Sequence, residues 1–137
     1  MAAVPGSCLC GGVRFELLAP PEPATHCHCS RCRKTSGTYG SVGARVARED
    51  FRLLAGADLL RVWKADDEAG PKVFCVACGS TLFGGEWPDG PVLKVRFGTL
   101  DADPGVRPVR RIHVVSAAPW LPVPDDGLER FDEGPHR

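Results

Sequence analysis

A mainly β domain is the expectation for this chain, and three features of its sequence carry it. Short segments alternate apolar and polar residues with a period of two, as in Val13-Arg14-Phe15-Glu16-Leu17 and again across Val92 to Phe97. Sixteen glycines and 13 prolines punctuate the chain and keep the segments between them short. No stretch sustains the apolar repeat of a long amphipathic helix.

Size and charge narrow the class further. At 137 residues the chain is long enough to bury a core and short enough to be one domain. Seventeen basic residues balance 17 acidic ones, so bulk charge does not point to nucleic acid or a membrane surface as partner. No apolar run approaches the ~18 residues of a membrane span. The start, Met1 to Cys10, lacks a basic region and is broken by Pro5-Gly6 before an apolar stretch develops, which makes a cytoplasmic protein the expectation.

Taken in order, Val13 to Leu17 reads as the first strand. Ala19 to Pro23, with three prolines, is a surface connection. A second strand delivers Thr25 to Cys29, and Arg31 to Ser36 forms a short helical turn stopped by Gly37. Tyr39 to Val46, Phe51 to Leu54 and Leu59 to Lys64 read as strands, with a turn at Ala47 to Asp50. Ala65 to Pro71 is an acidic loop ending in Gly-Pro. Val73-Phe74 leads into a cysteine pair and Thr81 to Phe83 leads out of it. Gly84 to Pro91 is a turn-rich connection, Val92 to Phe97 a strand, Asp101 to Pro108 a loop, and Ile112 to Val115 the last strand. Prolines at 119, 122 and 124 make residues 118–137 an extended strap.

Seven cysteines carry the chemistry. Cys27, Cys29 and Cys32 fall within His26-Cys-His-Cys-Ser-Arg-Cys-Arg-Lys34, and two pairs stand apart as Cys8-Leu9-Cys10 and Cys75-Val76-Ala77-Cys78. The odd count and the tight spacing argue against disulfides, whereas clustered sulfur donors suit zinc better than oxygen-seeking magnesium or calcium. Cys75-x-x-Cys78-Gly79 has the composition of a zinc knuckle, its glycine suiting a left-handed turn. Spacing leaves the partition open. Cys29/Cys32 with Cys75/Cys78 would form a zinc ribbon and strand three cysteines; Cys8/Cys10 with Cys75/Cys78 would leave Cys27, Cys29 and Cys32 as a compact cluster.

Five motifs occur in a fixed order: Cys8-x-Cys10-Gly-Gly-Val-x-Phe15, Cys27-His-Cys-x-x-Cys-Arg-Lys-x-Ser-Gly37, Phe74-Cys-x-x-Cys-Gly-Ser80, Gly98-Thr-Leu-Asp101, and His113 with Ala118-Pro-Trp120. With the tail from Asp126 to Pro135, this series resembles the glutathione-dependent formaldehyde-activating enzyme (GFA) family, which includes centromere protein V. The likeness spans residues 4–135 as a single domain. It implies a β-tent of antiparallel sheets stabilised by a four-cysteine zinc site. Cys8, Cys10, Cys75 and Cys78 match the positions of that structural zinc, and Cys27, Cys29 and Cys32 those of a second, catalytic zinc with a free coordination position. The implied activity is that of a carbon–sulfur lyase joining formaldehyde to glutathione, or a similar thiol and aldehyde, as an S-hydroxymethyl adduct.

Chemistry fits those positions. A thiol at the open position of a three-thiolate zinc loses its proton and is held beside the aldehyde, so proximity supplies much of the gain. Arg33 and Lys34, directly after the cluster, either meet carboxylates of such a thiol or are an ordinary solvated basic pair. Two rivals stand beside the lyase: a zinc-stabilised β scaffold that binds without turnover, and a thiol-redox protein, for which no cysteine remains unassigned. On strand alternation His28 points away from Cys27 and Cys29, so neither it nor His26 is expected as a ligand. His113, which matches a family position on a late strand, is expected to be a hydrogen-bonded core histidine rather than a proton shuttle, and Trp120 to pin the strap to the sheet.

Overall fold

A computed structural model describes residues 2–67 and 69–134. The elements in chain order are β1 (Val4–Ser7), β2 (Arg14–Leu17), β3 (Ala24–Cys27), α1 (Ser30–Ser36), β4 (Ser41–Ala47), β5 (Phe51–Ala55), β6 (Leu60–Trp63), β7 (Lys72–Cys75), β8 (Thr81–Gly85), β9 (Val92–Arg96), β10 (Pro108–Ile112) and β11 (Glu129–Arg130). Strands β1, β2 and β5 form one small sheet; the other eight form a large sheet in the order β11-β10-β3-β4-β9-β8-β7-β6. The mainly β class holds. Its sheets are not uniformly antiparallel, since β10 runs parallel to both β3 and β11. The long connection from β9 to β10 has room for the crossover that parallel pairing demands.

Strand alternation gives the large sheet two unlike faces. Val46, Val73, Phe83 and Val95 are buried on one face and pack against Val13, Phe15 and Leu17 of the small sheet. Aromatic rings hold the contact. Phe15 and Phe51 each meet Phe83 edge-on at centroid distances of 5.0 and 5.1 Å, and Trp87 stacks on Phe83 at 4.7 Å. On the opposite face the register brings Thr25 beside Gly43, Cys27 beside Ser41, Arg96 beside Gly43 and Lys94 beside Arg45. That face is polar and cationic, and it is where the functional residues gather.

Three elements depart from expectation. Strand β1 runs through Pro5 and Gly6, residues that disfavour a strand. It lies at a sheet edge, where proline is tolerated. Gly6 is needed because a Cβ there would lie 2.1 Å from Phe15 Cζ. The last long strand ends at Ile112 rather than beginning there, and residues 114–116 form a 3-10 turn. Pro108 opens that strand, a position that needs no ladder N–H. The two-residue β11 lies within the expected strap. The expected helical turn is present as α1, and Gly37 ends it in the left-handed conformation at φ 74°.

Trp120 does not pin the strap, for it is 64% exposed. The strap is held instead by Arg111, a guanidinium 5% exposed. Arg111 Nη2 donates to Asp126 Oδ2 at 2.6 Å, and Nη1 lies 3.0 Å from His26 Nδ1 and 3.1 Å from His28 Nε2. Backbone bonds from Phe131 N to Arg111 O and from Val114 N to Phe131 O fasten the same edge. The end of the expected strap, residues 135–137, lies outside the described residues.

Arg111 is the buried member of this network, and its loss leaves the ring nitrogens of buried His26 and His28 without that donor while Asp126 returns to water. Arg111→Met should therefore lower the unfolding free energy by about 2 kcal/mol. Arg107→Ala, which breaks the exposed pair with Asp103, should change it by less than about 1 kcal/mol. Urea denaturation of both variants checks the contrast; equal losses would mean that Arg111 does not anchor the edge.

Candidate metal centre

Cys8 and Cys10 sit in the turn after β1, Cys75 ends β7, and Cys78 lies in the turn to β8. The fold brings these four sulfurs within 4.8 Å of one another, at the junction of the two sheets. Cys8 and Cys10 sulfurs are 3.5 Å apart, and those of Cys10 and Cys75 are 3.9 Å apart. Four thiolates at ~2.3 Å around a tetrahedral zinc would stand about 3.8 Å from one another, so the donor set fits that ion. The turns aim donors at sulfur. Val13 N donates to Cys8 Sγ at 3.2 Å, and the Ser80 hydroxyl and backbone N–H bring the Cys78 thiol down to about 5. Gly11 and Gly79, each following a cysteine, take φ of 76° and 80° to close the two turns.

The remaining three cysteines form a second group, also within 4.8 Å. Strand β3 delivers Cys27, the N-cap of α1 is Cys29, and Cys32 lies in the first turn of that helix. Cys32 N donates to Cys29 Sγ at 3.3 Å, which fixes the spacing between those two sulfurs. Interactions within the group split the thiols. Hydrogen bonds from Cys27 and Cys29, opposed by burial and aided by the Ser41 hydroxyl and Lys72, hold Cys32 far below the usual thiol range. Cys27 is correspondingly pushed far up by its two sulfur neighbours and by burial. A divalent ion bound among the three would convert all of them to thiolates.

These cysteines line a cavity of about 700 Å³ on the polar face of the large sheet. Lys72, Lys94, Arg96 and Arg45 also line it. Lys72 Nζ stands 3.7 Å from Cys32 Sγ, and Arg96 Nη1 donates to Ser41 Oγ at 3.1 Å. Two cations thereby act on Cys32, one directly and one through a hydroxyl. Gly43 and Gly85 line the wall without side chains; a Cβ on Gly43 would come 3.0 Å from Val95 O, and one on Gly85 2.8 Å from Lys94 N.

The expected residues are partly brought to this place. Both cysteine groups assemble along the second of the two partitions. His26 and His28 turn away from the cavity and are buried against Arg111, their rings stacked 4.3 Å apart, and burial holds the His26 imidazole down near 4. Arg33 and Lys34 stand in the last turn of α1 and do not line the cavity. His113 is not a core histidine. It is half-buried, lines the cavity, and makes no side-chain hydrogen bond among the described residues. The cations that do line the wall escaped the sequence reading. Alternation puts Lys94 and Arg96 opposite Leu93 and Val95, but nothing in the pattern says that the polar face of the sheet encloses a cavity.

Comparison with known proteins points to one family. The profile of the glutathione-dependent formaldehyde-activating enzyme family matches residues 3–116. A Halomonas elongata protein that bears the family's name provisionally is 33% identical over 138 residues, covering 94% of this chain and 86% of its own. The crystal structure of a Rhodobacter sphaeroides protein superposes with a TM-score of 0.58 at 25% identity, covering 75% of this chain and 97% of the other. The profile match and the Halomonas relative together show that the chain belongs to the glutathione-dependent formaldehyde-activating enzyme family.

Proposed function

We propose that the protein is a zinc-dependent carbon–sulfur lyase that joins formaldehyde to glutathione or a similar thiol as the S-hydroxymethyl adduct. The observation that carries this reading is the opening of the Cys27/Cys29/Cys32 group onto a cavity lined by cations. A group that only stabilised the fold would have no need of such a cavity. Cys8, Cys10, Cys75 and Cys78 would hold one zinc that ties the sheets together, and Cys27, Cys29 and Cys32 would hold a second. When bound there, zinc supplies an open position that favours the thiolate form of an entering thiol.

The chain's own residues do the rest. Three thiolates around a divalent ion leave a net negative charge, and an entering thiolate adds to it. Lys72 against Cys32, and Arg96 through Ser41, offset that charge on the Cys32 side. The same cations, with Lys94 and Arg45, face the carboxylates of a glutathione-like thiol. The cavity holds sulfur and aldehyde carbon side by side, so a bimolecular encounter becomes a local one.

Metal content separates the two cysteine groups. The purified protein should carry about two zincs, one released by a mild chelator and protected by glutathione. Cys29→Ser should lose that labile zinc and the catalysed condensation while still unfolding cooperatively, whereas Cys78→Ser should not fold stably. A single tightly held zinc indifferent to thiol would leave the scaffold reading in place of the lyase.

Substitution of the wall identifies the thiol contact. Lys72→Met and Arg96→Met should each raise the KM for glutathione about tenfold, which is ~1.4 kcal/mol. Lys34→Met should leave it unchanged. Steady-state kinetics decide between them, and a rise confined to Arg33 and Lys34 variants would move the contact from the cavity wall to α1.

A further inference from the structure

The period of β10 breaks at one residue. Arg110 bonds the hydroxyl of Thr25, its neighbour in register; Arg111 turns to the opposite side and meets His26 and His28; Ile112 stands beside Cys27 and lines the cavity. One more residue of the same alternation would send the next side chain to the His26–His28 side. His113 does not go there. Its backbone takes φ 54° and ψ 38°, and among the described residues no other non-glycine residue has positive φ. It lines the cavity together with Ile112 and Gly134, and a Cβ built on Gly134 would lie 3.4 Å from His113 Nε2.

Left-handed backbone is unfavourable for histidine, so the fold holds it there by other bonds. His113 N donates to Glu133 O at 3.2 Å, and Ser116 N donates to His113 O at 2.9 Å. The consequence of the strained backbone is an imidazole in the same cavity as three cysteine sulfurs. Other charged groups on that wall are committed. Asp67 is bound by Arg31, and Glu22 pairs with Arg45 at 3.8 Å. Lys72 is drawn to Cys32 and Arg96 to Ser41. Arginines do not release protons in this range.

We propose that His113 is a catalytic residue, the proton carrier between thiol and aldehyde oxygen; this rests on the reading of the cavity as a thiol–aldehyde site. The thiol S–H bond breaks and its proton passes to the imidazole. The sulfur electron pair forms the C–S bond to the carbonyl carbon, and the carbonyl π pair moves to oxygen. The imidazolium then returns its proton to that oxygen, giving the S–CH2–OH adduct. Nothing is oxidised or reduced, and no proton is taken from or left in solvent. In the reverse direction the same ring removes the hydroxyl proton and restores the thiol.

Asparagine and glycine both accept a left-handed backbone but carry no proton at neutral pH, so they remove the ring without refolding the loop. Magnetisation-exchange NMR of 13C-formaldehyde with glutathione, over zinc-loaded wild type, His113→Asn and His113→Gly, tests the assignment. Both variants should slow the catalysed exchange about 100-fold or more, the usual contribution of a positioned acid–base group. Their zinc content should match wild type, and the thermal midpoint of His113→Gly should not fall, because relief of the strain offsets the added freedom of the unfolded chain. Wild-type exchange in either variant overturns the assignment and leaves the lyase reading intact, as would loss of exchange only alongside loss of zinc and of the midpoint. Exchange in wild type no faster than in buffer overturns the lyase reading itself, and the assignment with it.

Discussion

The period of two along β3, β4 and β9 is the constraint on which the rest of this molecule depends. One face of the large sheet must be dry enough to pack on Phe15 and Leu17, and every residue committed to it sends its neighbour to the other side. Because His26 turns to Arg111, Cys27 faces the cavity; because Val95 is buried, Lys94 and Arg96 face it too. A one-residue slip in any of these strands would exchange the two sets. Stability and the composition of the site are therefore read out of one register, and neither can be altered alone.

Electrostatics follow from that arrangement. Three sulfurs on one short connection repel additional negative charge, and the wall opposite them carries the answering cations. Lys72 reaches Cys32 from β7, while Arg96 reaches it from β9 through the Ser41 hydroxyl of β4. These residues are far apart in sequence and are assembled only by the strand order β4-β9-β8-β7. Behind the cysteines, Arg111 serves the opposite purpose. Its charge is shared between Asp126 and two histidine rings that burial and the guanidinium itself hold in the neutral form. The cluster thus has a cavity side and a fixed, hydrogen-bonded side.

Much of this was legible in the sequence where local signals were strong. Val13 to Leu17 and Val92 to Phe97 announced strands through alternation, and Gly37 announced the end of α1. The grouping of Cys8, Cys10, Cys75 and Cys78 was not settled by spacing, and resemblance was needed to choose it. Strand β1 was hidden by Pro5 and Gly6, whose tolerance depends on an edge position and on the ring of Phe15, both tertiary facts. The start of β10 was hidden by Pro108 in the same way. His113 could not be placed because sequence alternation has no term for a single left-handed residue, and the wall cations because charge in a strand says only which residues are not in the core. Arg33 and Lys34 drew attention by adjacency in sequence, whereas the cavity is built by adjacency across strands.

The two cysteine groups differ in what they connect, and this difference bears on what each does. Cys8 and Cys10 follow β1 of the small sheet, and Cys75 and Cys78 flank the turn from β7 to β8 of the large one, so an ion among them would close a loop of about half the chain. Its four sulfurs come from both sheets, enough to fill a tetrahedral ion's positions. Cys27, Cys29 and Cys32 come from one strand end and the first turn of one helix, a connection that the β3–β4 ladder and the Arg111 network already hold. An ion there closes almost no loop and adds little to folding. Its donors come from one side, and the other side is the cavity. A site that contributes little to the fold, and is open where the charged wall converges, has a physical account as a place for a reaction and a poor one as a brace.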